Sequence, residues 1–481
     1  MSAHETFHFQ TLEEVRGRIA ELGLDLPLSE DLRPLQEPLQ VGSFRLPNRL
    51  IVQPMEGCDG LPDGSPDELT FRRYRRFAAG GAGLLWFEAT AVTEEARANP
   101  RQIWIREQTL PAFARLVEET HRVARENLGP RHRPLLVLQL THSGRFSRPD
   151  PGQPMRPRIA YRHPLLDGRV GVTDDRPVFT DAELEGLVND YVAAARFAAE
   201  AGFDFVDIKA SHGYLLHEFL SAHTRPGPYG GSFENRTRLF REIVAAIRRD
   251  APSLHIGVRV SIFDSVPFTH PKPGQGTRGT PADFRPYLPY RYGFGLDPDN
   301  PLEVDFSEPL AFLHLCRDLD VRLINITAAC PYYNPHLMRP AYFPPSDGYP
   351  PPEDPLTGCA RLIHVAGRCK RAVPDLAIVG TGYTYFQEYL PHVAQAQVRL
   401  GQVDFVGLGR MLLAYPDLPH DILTGKPIDR KRLCRTFSDC TTGPRNGMVS
   451  GCYPLDPYYK ARPEAQVIQA IRRKAAPSAK F

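Results

Sequence analysis

Lys209, His212 and Tyr214 fall within six consecutive positions of the segment DFVDIKASHGYLLHEFLS. Together they offer an ammonium, an imidazole that titrates near neutral pH and a phenol that can surrender a proton. Groups of this kind suit proton transfer to a substrate and stabilisation of negative charge on an oxygen. Lys209 also admits a second chemistry, Schiff-base formation with a carbonyl compound, as in lyases and aldolases.

The residues that lead into this group alternate. Phe205, Asp207 and Lys209 share one side and Val206 and Ile208 the other, as in a strand that lines a barrel. After the group comes the turn signal Pro228-Tyr229-Gly230-Gly231 and then SFENRTRLFREIVAAIRR. In that run Phe233, Leu239, Phe240, Ile243, Val244 and Ile247 recur at helical spacing, with Ser232 or Asn235 as the N-cap.

Read jointly, HGYLLHEFLS and YGGSFENRTR resemble the old yellow enzyme family of FMN-dependent oxidoreductases. The resemblance implies a (β/α)8 TIM barrel with FMN across the C-terminal ends of its strands. It also implies hydride uptake from NADH or NADPH and delivery to an electron-poor alkene such as an α,β-unsaturated carbonyl compound. Eight strand-like runs are present: residues 49–57, 83–92, 135–145, 203–210, 255–262, 321–329, 376–383 and 403–410. Amphipathic runs such as 181–202 lie between several of them, which places the chain in the α/β class. The pattern divides the chain into an N-terminal extension (1–38) with one helix over Thr11–Leu26, a barrel (39–429) and a Cys-containing tail (430–481).

Long loops follow strands five (Val266–Pro301) and six (Pro331–Pro355). They hold much of the proline, 48 residues in 481, about twice the usual share of about 5%. Rich in Tyr and Phe as well, they are expected to be ordered lids or binding loops and to carry specificity.

By resemblance, Tyr214 donates a proton to the substrate, and His212 hydrogen-bonds a substrate carbonyl. Pro54, Met55, Glu56 and Ala89 form the flavin cradle, Gln139 and Arg259 meet the flavin ring, and Gly380, Gly382, Gly407, Gly409 and Arg410 hold its phosphate. Two positions depart from the family pattern. Lys209 stands where His is common and is expected to pair with His212 around a carbonyl or carboxylate. Glu56 stands where Thr or Cys is common; a carboxylate there opposes an anionic reduced flavin unless it turns away or meets a cation such as Lys209.

Cys434, Cys440 and Cys452 partly resemble the cluster ligands of the 2,4-dienoyl-CoA reductase branch, through the Cys440 to Cys452 interval. Leu433 and Thr436 occupy the first two ligand positions, leaving three thiols where a [4Fe-4S] cluster commonly takes four. Neither a cluster nor a metal is expected. The eight cysteines form no disulfide framework, and the +2 net charge gives no reason to expect nucleic acid or a membrane surface as partner. No apolar run approaches the length of a membrane span, and the first residues lack a secretory pattern. A cytoplasmic enzyme acting on a small molecule and a nicotinamide is expected, with an assembly of identical chains compatible with the sequence. The same barrel would serve an amine dehydrogenase or demethylase-like enzyme, a Lys209 Schiff-base lyase, or a non-catalytic FMN-binding protein.

Overall fold

The apolar runs form eight parallel strands that close into a barrel in a computed structural model, which describes residues 4, 6–271 and 277–475. The strands are Leu50–Val52 (β1), Leu84–Ala91 (β2), Leu135–Thr141 (β3), Phe205–Ile208 (β4), His255–Ser261 (β5), Leu323–Thr327 (β6), Ala377–Gly380 (β7) and Phe405–Leu408 (β8). Each pairs with its sequence neighbours, and β8 closes on β1 through Val406–Leu50 and Leu408–Val52. β1 is much shorter than the run 49–57, because the chain after Val52 leaves the ladder to form the floor of a cavity.

Alternation sorts the side chains. Leu50, Val52, Val206 and Ile208 join the layer between strands and helices, whereas Ile51, Trp86, Val137, Phe205 and Phe405 fill the barrel. An antiparallel hairpin, Leu39–Val41 with Phe44–Leu46, plugs the end where the strands begin. Its Val41 and Leu46 join the interior cluster, and the Phe44 ring lies 5.6 Å from that of Phe205. The opposite end, where the strands finish, is left for a ligand.

The helix before β4, Asp181–Ala201, starts in a capping box between Thr180 and Glu183 and ends at Gly202 with φ 95°. The helix expected from Ser232 onward is broken in two, Phe233–Arg236 and Arg238–Asp250. Ser232 caps the first piece, and the Thr237 hydroxyl bonds back to the carbonyls of Phe233 and Glu234. The buried Arg236 guanidinium meanwhile reaches Leu220 O and Glu308, fixing the short piece at its own angle. The N-terminal helix runs Leu12–Glu21, shorter than 11–26, since Gly23 turns the chain at φ 65°. It buries Val15 and Ile19.

The tail packs onto the barrel. Arg72 and Arg76 both grip buried Asp456, and the Ser450 N–H donates to Gly57 O at 2.7 Å, beside the cavity floor. Among the described residues no helix is long and apolar enough to cross a membrane.

The two Pro-rich loops lean on each other, with Phe268 packed on His336 and Tyr349. Residues 272–276 of the first loop lie outside the described residues. Asp264, just after β5, ties the second loop down: it accepts from Tyr333 Oη at 3.0 Å and from the Ser265 N–H at 2.8 Å. Burial pushes its carboxyl up to about 7 from 3.8, the two donors opposing. A carboxyl whose folded pKa lies above its unfolded value binds more protons when folded. Its contribution is therefore full below 3.8 and is lost as pH rises through about 7. Asp264→Asn mimics the protonated form and is expected to remove that dependence. Urea unfolding should show the variant gaining on wild type between pH 4 and pH 8 by on the order of 3 kcal/mol. A constant difference would show that Asp264 does not titrate in this window.

Candidate active site

At the C-terminal ends of the strands lies a cavity of about 400 Å³, within the range of cofactor pockets. Gln53, Pro54, Met55 and Glu56 reach it from β1, Gln139 from β3 and Arg259 from β5. Lys209, His212 and Tyr214 line it from the segment after β4. Gly382 follows β7, and Gly407, Gly409 and Arg410 follow from β8. Ala89 and Gly380 do not line it. The β2 ladder shifts register between Phe87 and Thr90, where the Ala89 carbonyl accepts the Gln102 amide. Gly380 packs against the Tyr383 hydroxyl and Val403 instead.

A polar layer under the cavity sets the orientation of Gln139. Asp207 Oδ2 accepts from Gln139 Nε2 at 2.5 Å and from Trp86 Nε1 at 2.9 Å, and Asp207 Oδ1 accepts the Arg259 N–H at 2.7 Å. With one of its amide hydrogens held by Asp207, Gln139 can still offer its carbonyl oxygen to a ligand. Arg259 has the opposite character. Among the described residues its guanidinium reaches only Pro54 O at 3.5 Å, and its buried Nε has no partner. Burial pushes it down to about 10, with Asp207 opposing, so it is a desolvated cation short of an acceptor.

The reacting cluster is more tightly bonded than the sequence implied. Lys209 Nζ meets Glu56 Oε1 at 3.3 Å and sits 3.6 Å from the centre of the Tyr214 ring. Tyr214 Oη donates to the same Glu56 Oε1 at 2.9 Å and shares a 3.0 Å hydrogen bond with Tyr332 Oη. Lys209 therefore joins Glu56 and Tyr214, and no hydrogen bond links it to His212. The carboxylate that departs from the family pattern is met by the lysine that also departs from it. Burial, then Glu56 and Tyr332, hold the Tyr214 phenol well above its ordinary value, while burial lowers Lys209 against the pull of Glu56.

His212 has a left-handed backbone, φ 65°, held by its N–H to Ser261 Oγ at 3.0 Å and its carbonyl to Cys330 Sγ at 3.0 Å. Gly213 continues the turn at φ 73°, and a Cβ there would meet Cys330 Sγ at 2.9 Å. Burial, with Arg259 and Lys209 nearby, pushes the imidazole well below its ordinary value, so His212 is neutral at physiological pH. Its buried Nε2 has no partner.

Several cavity residues were not singled out from sequence. Gln53 is one: its Oε1 accepts from Asn325, while its Nε2 has no partner and would lie 1.8 Å from a Cβ at Gly407. Only glycine fits there. Tyr332 and Arg339 come from the second Pro-rich loop, and Thr441, Arg445 and Ser450 from the tail. The Tyr332-Tyr333 pair in the loop after β6 was a usable signal for Tyr332.

The eight cysteines are all free thiols. Burial raises Cys452 and Cys434, whose thiols lie close enough to Cys440 to interact with it. Among the described residues no group of three or more His, Cys, Asp or Glu side chains is arranged to hold a metal.

Comparison with known proteins places this geometry. Residues 34–270, which contain β1 to β5, match the model of the NADH:flavin oxidoreductase / NADH oxidase family. The chain is 32% identical to 12-oxophytodienoate reductase 1 of Oryza sativa subsp. japonica over 237 residues, 48% of this chain and 59% of that relative. It is 35% identical to NADPH dehydrogenase of Listeria monocytogenes serotype 4b over 232 residues, 46% of this chain and 61% of the relative. The matches thus span less than two thirds of the curated relatives' length. Among solved structures, histamine dehydrogenase from Rhizobium sp. 4-9 has TM-score 0.63 at 21% identity, covering 89% of this chain and 53% of that one. That likeness is one of fold.

Proposed function

We propose that this chain, whose residues 34–270 match the model of the NADH:flavin oxidoreductase / NADH oxidase family, is an FMN-dependent oxidoreductase. It takes reducing equivalents from NADH or NADPH and reduces an electron-poor alkene such as an α,β-unsaturated carbonyl compound. One observation carries the reading. Arg259 Nε, Arg410 Nη1, Gln53 Nε2 and His212 Nε2 are buried without partners among the described residues, and all four residues line the cavity that also holds Tyr214. Unmet donors of this kind call for an acceptor-rich ligand.

The residues fit FMN. Gln139 would offer its oxygen, and Gln53 its amino group, to the polar edge of the ring, and Arg259 would face the charge that grows there on reduction. Arg410 and the backbone at Gly382, Gly407 and Gly409 would take the phosphate. When bound, FMN supplies a two-electron store that accepts hydride from the nicotinamide and passes it to an alkene carbon.

The chain's own part is polarisation and proton delivery. Neutral His212 would donate from Nε2 to the substrate carbonyl oxygen, favouring the enolate-like charge that develops during reduction. Tyr214 would then give its phenolic proton to the neighbouring carbon. Glu56 opposes the resulting phenolate, and the Lys209 ammonium over the ring offsets that opposition. Lys209 thus acts beside the proton donor in this reading, as a positioning and charge-balancing residue.

The test is the visible spectrum of the purified protein. A flavin spectrum that bleaches anaerobically with NADH or NADPH, and returns on adding a cyclic enone, is expected. Bleaching by amines alone would replace the reading with amine oxidation. A colourless protein that takes up no added FMN would overturn the cofactor and move attention to carbonyl trapping at Lys209.

A further inference from the structure

The cavity wall carries two guanidinium groups, Arg410 just after β8 and Arg339 from the loop after β6, with no carboxylate partner for either among the described residues. Arg410 donates from Nη2 to Pro340 O at 2.9 Å, and its buried Nη1 has no partner. Arg339, one residue before Pro340 in the second Pro-rich loop, is 9% exposed and lines the same cavity. Among the described residues its side chain makes one hydrogen bond, from Nη2 to Ser438 Oγ at 3.3 Å. Ser438 belongs to the tail and donates in turn to Phe343 O at 2.6 Å, so the tail holds the loop that carries Arg339. Arg445 nearby differs, because Asp347 neutralises it at 2.5 Å.

We propose that Arg339, carried by the loop after β6 and held by Ser438 of the tail, is a second guanidinium for the phosphate monoester of the flavin nucleotide. The proposal deepens the reading above and rests on it. Two buried cations side by side are costly without an anion between them. Burial and then the charge of Arg410 push Arg339 down to about 9, which records that proximity. A carboxylate would balance only one of them. A phosphate monoester carries nearly two negative charges at neutral pH, and its oxygens match the planar fork of arginine. The first arginine, Arg410, opens the helix Arg410–Ala414 after β8, whereas Arg339 reaches the same place from a loop that periodicity does not describe. The tail thereby contributes to the phosphate end of the cavity, because without Ser438 the Arg339 side chain loses its one hydrogen-bond partner.

Affinity for FMN and for riboflavin, which lacks the phosphate, decides the matter. Flavin-stripped full-length wild type, Arg339→Ala, Arg339→Lys and Ser438→Ala are titrated with each ligand, read by quenching of flavin fluorescence. Arg339→Ala is expected to bind FMN about 10- to 100-fold more weakly, the effect of losing a charged hydrogen-bond partner, with riboflavin affinity unchanged. Arg339→Lys should recover part of the loss, and Ser438→Ala should lose less than Arg339→Ala. Unchanged FMN affinity in Arg339→Ala, or equal weakening of FMN and riboflavin, would overturn the proposal. If wild type takes neither flavin, the FMN reading fails, and inorganic phosphate becomes the probe. A rise in melting temperature with phosphate in wild type but not in Arg339→Ala would sustain an anion site at these residues. Equal behaviour of the two proteins would end it.

Discussion

Tyr214→Phe is expected to slow reoxidation of the reduced flavoprotein by an enone by ~10²–10⁴-fold, the usual worth of a positioned proton donor. Reduction by NADH or NADPH should change by less than about threefold, since that half-reaction moves hydride and needs no proton from Tyr214. The phenol is 1% exposed, and burial with Glu56 beside it holds its proton firmly at neutral pH. It is thus always in the form that can donate, and the difficulty lies in the phenolate left behind. Lys209 Nζ, 3.6 Å from the ring centre, supplies the compensating charge, and Tyr332 supplies a hydrogen bond to the oxygen. Phenylalanine keeps the ring under Lys209 and removes only the hydroxyl. Stopped-flow traces of the two half-reactions separate the effects. Equal slowing of both would point to a displaced flavin, and no slowing of either would remove Tyr214 from proton transfer, with Tyr332→Phe as the next variant to measure.

What sequence made visible follows from how each group reaches the cavity. Lys209, His212 and Tyr214 are neighbours in the chain at the end of an alternating strand, so composition and period find them together. Gln139, Arg259, Gly407 and Arg410 lie on or just beyond strands, where the period of two fixes which side they face. Ala89 also lies on a strand, yet a register shift between Phe87 and Thr90 turns that stretch of backbone towards Gln102. No pattern of side chains announces such a shift. Tyr332, Arg339 and Ser450 arrive by loops and tail held by long-range bonds, such as Ser450 N–H to Gly57 O and Asn334 Nδ2 to Val266 O. Those bonds span many residues and carry no period. The sequence favoured His212 as the partner of Lys209 and offered Glu56 only as a carboxylate that a cation could meet; the lysine lies 3.3 Å from Glu56, a choice that charge alone did not decide.

Arg73→Met is expected to cost about 3–5 kcal/mol of stability, the largest single loss foreseen outside the cavity, by leaving buried carboxylates without their cation. Arg73 Nη1 lies 2.7 Å from Asp59 Oδ2, and its Nη2 lies 2.5 Å from Glu88 Oε1. Asp59 and Glu88 are 0% and 1% exposed. The guanidinium lies so close under Gly57 that a Cβ there would meet Nη2 at 2.1 Å, and the Gly57 N–H donates to Glu88 Oε2 at 2.7 Å. The triad therefore fixes the backbone just after Glu56, and its loss should loosen the cavity floor as well as the fold. Burial already pushes Glu88 up to about 7 from 4.5, and removing Arg73, which lowers it, can only move it further up. A carboxyl raised in this way contributes most below its unfolded pKa and loses that contribution as pH rises. The variant's deficit should accordingly be smaller at pH 5 than at pH 8. Adding Glu88→Gln removes one of the two stranded charges and should recover part of the loss at pH 8 and little at pH 5. Denaturant midpoints of wild type, Arg73→Met and the double variant at both pH values measure this. A deficit independent of pH and untouched by Glu88→Gln would mean that lost packing under Gly57, rather than stranded charge, sets the cost.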